Sequence, residues 1–214
     1  MNKICVFCNE NRFCLNKKIG LDSEQAVIYE DEYIYVTPDL APLSEGHLLI
    51  VSQEHYNSFA NAPRDVRNSL MKMLEYLSED IYRDSDITWF EHGAVFEGTG
   101  GASIDHAHLH VIPKSLKLIE AVEHDKKYIE KKSYTEKNFV ELLLKQPYLW
   151  IGSRKTSYLY YVNELPSQYL RKKVMELLHG EDFDWKENFY LESSIKKYKD
   201  TLNLIVEKRG TLNG

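Results

Sequence analysis

Apolar positions change their period several times along the chain, and each change marks an element. Over residues 26–39 the stretch AVIYEDEYIYVTPD alternates β-branched and aromatic residues around an acidic turn, which predicts a hairpin. GHLLIVS, residues 46–52, predicts a further strand. From Pro63 to about Tyr82 the positions Val66, Leu70, Met73, Leu74, Leu77 and Ile81 recur at helical spacing, and Pro63 suits a first turn, so a long amphipathic helix is expected. DITWFEHGAVF and SIDHAHLHVIP predict two strands, separated by the small-residue loop EGTGGA and closed by Pro113.

The second half is more charged. Residues 116–146 predict helix in two pieces, YLWIG and SYLYYVN two more strands, LPSQYLRKKVMELL a helix starting near Pro166, and YLESSIKKYKDTLNLIVEKR a last helix. The order implies an α+β protein: a mostly antiparallel sheet with a long packed helix, followed by a mixed α/β C-terminal extension. The rise in charge over residues 114–132 suggests a boundary between a core, residues 1–115, and an extension, residues 116–214; one domain with a solvated helix there is the alternative.

Composition narrows the class. With 214 residues, 43% of them hydrophobic, the chain can bury a core. It has no run of about 18 apolar residues, and MNKICVFCNENRF lacks the apolar stretch of a signal peptide, so a cytoplasmic protein with no membrane segment is expected. A net charge of -6 argues against a general nucleic-acid binder and leaves a small phosphorylated ligand open. The 3 cysteines all fall within the first 14 residues, and Cys5 and Cys8 form a CxxC, which points to metal or to nothing rather than to disulfides.

The chemistry concentrates in DHAHLHVIP, residues 105–113. His106, His108 and His110 alternate with Ala107, Leu109 and Val111, so the segment reads as a half-buried strand whose imidazoles point the same way, neighbours about 7 Å apart. A neutral imidazole can attack phosphorus and form a phosphoramidate, while a neighbouring one donates a proton or fixes the tautomer. The loop from Gly98 to Ser103 could offer backbone N–H groups to phosphate oxygens. A His-x-His metal site is the competing use of such a row. Arg154 and Lys155, between the two late aromatic strands, are candidates for polyphosphate contact, against the commoner state of solvated loop cations.

These residues carry a resemblance. HAHLHVI, residues 106–112, matches the motif of the histidine-triad (HIT) family of nucleotide hydrolases and transferases, and CVFCNE with YEDEYIYVTPDLAPLSEGHLLIVSQEH resembles the segments that precede it in bacterial members. The resemblance implies a HIT-like fold and carries roles residue by residue. His108 would be the nucleophile that becomes nucleotidylated, with His106, His110 and His47 completing the catalytic set and His110 and His47 on the phosphates. Asp39 would accept from ribose hydroxyls, and Ser103 would bind a phosphate or bridging oxygen. Cys5, Cys8, His55 and His106 resemble a structural zinc site. Histidine at position 110, where transferase branches carry glutamine, favours hydrolysis of a dinucleoside polyphosphate or nucleoside phosphoramidate; nucleotidyl transfer and low-turnover nucleotide binding are the alternatives. Val95 departs from the polar residue that hydrolase branches often place there. The implied partners are a small nucleotide and a second copy in a homodimer, with no nucleic acid or membrane.

Overall fold

The structure, a computed structural model, describes residues 5–21, 26–99, 101–125, 128–132, 146–162, 164–180 and 184–212. Its centre is an antiparallel sheet of β1 (Tyr29–Glu30), β2 (Ile34–Pro38), β3 (Leu48–Ser52), β4 (Thr88–Gly93), β5 (His108–Ile112), β6 (Ile129–Lys132), β7 (Tyr148–Ser153) and β8 (Ser157–Val162), in the order β1-β2-β3-β5-β4-β7-β8-β6. The fold is α+β, as the order of elements predicts. One sheet runs without a break from the N-terminal half into the strands that follow residue 115.

Period-2 patterning sends alternate side chains to opposite faces, and both faces are covered. Ile34, Val36, Leu48, Ile50, Trp89, Leu109 and Val111 pack against α2 (Arg64–Tyr76) and the turns beside it. Phe90, Ile112, Leu149, Ile151 and Tyr160 pack against α3 (Leu118–His124) and α4 (Tyr169–His179). On that same face Tyr35, Leu49 and Val51 meet Phe7 and Phe13 of the N-terminal segment, which includes the short α1 (Cys14–Lys18). Helix α5 (Trp185–Asn188) leads into α6 (Glu192–Leu212), whose Tyr198 packs on the N-terminal segment and whose Ile205 joins the α2 side.

Three expectations change. The triad strand is not half-buried: His106 and His110 are buried and only His108 is partly open, because elements far away in sequence cover the second face. Residues 129–132, expected in a helix, form β6 and pair with β8; α3 is one helical piece of that stretch, and residues 133–145, where the second was expected, lie outside the described residues. The long helix ends its regular part at Tyr76 and continues as a π turn, Leu77–Ile81, closed by Tyr82 N–H on Leu77 O at 2.8 Å.

The junction of β4 with β7 uses two glycines in opposite senses. Gly93 lies opposite Tyr148 and Gly152 opposite Trp89, and a Cβ on either glycine would sit 2.0 or 2.1 Å from the facing ring. Each aromatic ring thus lies over the bare backbone of the other strand, and alanine has no room at either place. Among the described residues no helix is long and apolar enough to cross a membrane.

Candidate active site

Between the N-terminal segment and α4 the sheet face opens into a cleft of about 770 Å³, counting its mouth. Phe7, Phe13, Leu15 and Leu40 give it an apolar side, while Asp39, Ser103, His108 and His110 line the other. The register explains the grouping: His110 pairs with Leu49 on one side and Phe90 on the other, and Phe90 stacks on the His110 ring at 4.6 Å.

Each triad histidine has its proton position fixed by a different partner. The ring of His106 donates from Nε2 to Ser52 O at 2.8 Å, which leaves the Nδ1 lone pair facing Cys5 and Cys8. His108 donates from Nδ1 to the His106 carbonyl at 2.6 Å, which leaves the lone pair on Nε2. For His110 the chain is longer. Leu43 N–H donates to His47 Nδ1 at 3.1 Å, so neutral His47 carries its proton on Nε2 and donates it to His110 Nδ1 at 3.0 Å. His110 then keeps a proton on Nε2 as a donor. Burial holds all of these rings neutral: it lowers His108, lowers His110 strongly, and brings His47 down to about 3 and His106 to about 4.

His47 is presented by a clamped turn. Gly46 adopts φ +76, and a Cβ there would lie 2.6 Å from the Pro113 ring. Its N–H donates to Thr201 Oγ1 of α6 at 2.9 Å and its carbonyl accepts from Tyr82 OH at 2.6 Å.

The family model described as HIT domain matches residues 21–116. Residues 21–116 are a HIT domain. An uncharacterized HIT-like protein of Methanocaldococcus jannaschii is 27% identical over 114 residues, 52% of this chain and 79% of the relative. An adenylylsulfatase of Arabidopsis thaliana, HINT3, is 29% identical over 110 residues, 51% of this chain and 52% of the relative. Over 114 residues the adenosine 5′-monophosphoramidase HNT1 of Saccharomyces cerevisiae is 25% identical, covering 53% of this chain and 65% of the relative. Hydrolases therefore stand among the relatives of this HIT domain.

Ahead of the HIT domain, Cys5 and Cys8 meet two of its histidines. Cys5 Sγ lies 3.4 Å from His106 Nδ1, Cys8 Sγ lies 3.3 Å from His55 Nδ1 and 3.8 Å from His106 Nδ1, and all four donor atoms fall within 4.8 Å of one another. A tetrahedral zinc with ordinary Zn–S and Zn–N bonds spaces sulfur and nitrogen ligands about 3.5 Å apart, so the set has the size as well as the chemistry for that ion. Burial and the Cys5 hydrogen bond push the Cys8 thiol up to about 12, so two thiolates share this place only with a cation between them. Cys14 begins α1 and is not in the group. Asp39, His47 and His110 also have ligand types within reach of one another, but the Asp39 carboxylate already carries a guanidinium.

That guanidinium is Arg171, which sequence reading missed. Its Nη1 donates to Asp39 Oδ2, its Nη2 to Asp39 Oδ1 at 3.3 Å and to Ala41 O at 2.7 Å. The signal was a cation on the apolar stripe of a helix, three and four residues before Val174 and Met175. His92 was missed as well. It lines the cleft two residues from Phe90 on the same face, and its Nε2 accepts Leu170 N–H at 3.0 Å. Arg154 lies elsewhere: it donates to the carbonyls of Tyr82 and Ser85 and pairs with Glu79, closing the turn after the long helix. Arg154, a candidate for polyphosphate contact, does not line the cleft. Lys155 N–H donates to Ser153 Oγ in the β7–β8 turn. Val95 is buried and does not line the cleft. Just after the small-residue loop, Ser103 and Ile104 reach the cleft wall.

Proposed function

We propose that the chain hydrolyses a nucleoside 5′-phosphoryl linkage, of the phosphoramidate or dinucleoside polyphosphate kind, through a nucleotidyl-His108 intermediate. The observation that carries this reading is the His108 tautomer: with Nδ1–H given to the His106 carbonyl, the neutral ring offers Nε2 to the cleft. The Nε2 lone pair forms the N–P bond as the bond from phosphorus to the leaving group breaks and its electrons depart with that group. Water then attacks phosphorus, the N–P bond breaks, and His108 regains its lone pair while the nucleoside monophosphate leaves; the proton that water gives up balances the one the departing group takes from solvent. His110, held by His47 as an Nε2–H donor, is suited to the non-bridging oxygens, and Ser103 to the leaving-group side. Asp39 is suited to the ribose and the apolar wall of Phe7, Phe13 and Leu40 to the base. The adenosine and adenylyl specificities named for the yeast and plant relatives support adenine nucleotides as the first substrates to try.

Zinc is the metal that Cys5, Cys8, His55 and His106 would hold. When bound it supplies a structural tie between the N-terminal segment and the triad strand, and no chemical step passes through it. Metal analysis of Cys8→Ser should show loss of stoichiometric zinc; full retention contradicts the ligand set.

The deciding experiment is a product assay of wild type and His108→Ala against diadenosine tri- and tetraphosphate, an adenosine phosphoramidate and nucleotide sugars. Turnover should fall by about 10⁴-fold or more in the variant while ground-state binding stays near wild type. Release of a nucleoside diphosphate on adding phosphate would move the assignment to nucleotidyl transfer. Equal turnover by both proteins would remove His108 from the mechanism.

A further inference from the structure

Among the described residues that line the cleft, Asp39 is the one carboxylate and Arg171 the one guanidinium or ammonium, beside three histidines held neutral by burial, and the two are paired with each other. Asp39 comes from the end of β2 in the HIT domain, and Arg171 from α4 in the extension. Both are buried. An ionised carboxylate has about four acceptor positions. Arg171 takes one on each oxygen, and Ala41 N–H takes a third at 2.8 Å. The pair of ribose hydroxyls that the proposed function assigns to Asp39 therefore cannot both bind while the guanidinium stays in place.

A phosphate meets the reverse problem. The fixed charges of the cleft cancel, so an incoming anion meets the neutral donors of His110 and Ser103 but reaches a full positive charge only by drawing Arg171 away from Asp39. Either partial exchange would strand a buried charge, which is the costly outcome for such a pair. A ligand that brings hydroxyls for Asp39 and an anion for Arg171 satisfies both at once.

We propose that Arg171 is a substrate-binding residue that exchanges Asp39 for the non-bridging phosphate oxygens of the nucleotide, while the ribose hydroxyls replace it on Asp39. The inference rests on the nucleotide reading above and adds a selection rule: sugar and phosphate bind together or weakly. The backbone that carries Arg171 is held to the site by other contacts, so the exchange is a side-chain movement. Gln168, at φ 63, donates its N–H to Gly101 O at 2.8 Å in the loop before the triad, and Leu170 N–H is held by His92. Gly101, at φ +73, lies against the chain just before α4, where a Cβ would sit 2.9 Å from Leu165 Cβ and 3.0 Å from Pro166 O. The charge on Arg171 bears on His47, His92, His108 and His110 alike, which places it among the reacting groups.

Titration calorimetry on the full chain with AMP, adenosine and inorganic phosphate tests this. Wild type should bind AMP about 100-fold or more tighter than either adenosine or phosphate. Arg171→Gln should lose about 10- to 100-fold for AMP while adenosine binding holds or improves, because Asp39 is uncovered. Should that variant fold poorly, Asp39→Asn/Arg171→Gln removes the pair without stranding a charge, and it should prefer AMP over adenosine by no more than about tenfold. Unchanged AMP affinity in Arg171→Gln, or equal losses for AMP and adenosine, overturns the exchange and leaves the nucleotide reading intact. A wild-type protein that binds neither AMP nor adenosine overturns that reading and the exchange with it.

Discussion

Asp39 and Glu91 are both buried carboxylates, 5% and 1% exposed, on opposite faces of the same sheet, and they titrate in opposite directions. Burial works to raise each of them. At Asp39 the Arg171 guanidinium, with His47 and the Ala41 N–H, overrides burial and holds the carboxyl below its ordinary range. Among the described residues Glu91 has only neutral donors, Phe59 N–H at 2.8 Å and Tyr148 OH at 2.7 Å, and burial carries it from an ordinary 4.5 to about 7. A neutral hydrogen bond does not replace a full charge in an apolar surrounding. The site face is thus built to keep a carboxylate ionised, whereas the α2 face lets one go neutral.

The largest way to break this contrast is to remove the cation. Arg171→Met should destabilise the fold by about 3 to 5 kcal/mol at neutral pH, read by urea denaturation, because Asp39 stays buried and charged. Asp39→Asn in the same chain should recover most of that loss; no recovery would mean that the guanidinium contributes by packing. Next in size is Glu91→Gln. Between pH 4.5 and about 7 the native state holds a proton on Glu91 that the unfolded chain releases, so wild-type stability falls as pH rises through that window. The variant should gain about 2 to 3 kcal/mol over wild type above pH 7 and almost nothing near pH 4. A gain independent of pH would refute the shift. Asp39 has the opposite sign: its stabilisation is present above the unfolded carboxyl pKa and disappears as pH falls toward its lowered folded value.

Much of the site could be read in the sequence because its chemistry is local. Three histidines at a spacing of two fall on one short segment, and Cys5 and Cys8 sit in one CxxC. The helix over α2 was equally legible, since Val66, Leu70, Met73 and Leu74 point one way on any regular helix. What stayed hidden is what closes the cleft. Arg171 meets Asp39 across 132 positions, and no periodicity within LPSQYLRKKVMELL says which strand its stripe will face. The half-buried expectation for the triad strand failed for the same reason. Alternation shows which side chains share a face, and only the packing of α3, α4 and the N-terminal segment decides that both faces are covered.

The two glycines of the β4–β7 junction bear on whether any other strand can be added beside β4. Ended after β5, the sheet would present β4 as an open row of amides and carbonyls, ready to accept a strand from another molecule. With Tyr148 seated on Gly93 and Trp89 on Gly152, that row is already occupied by the chain itself. The outer strands of the described sheet are instead β1, only two residues long, and β6. Strand addition beside β4 is therefore closed off by the chain itself, and β7 serves there as a covalently attached partner.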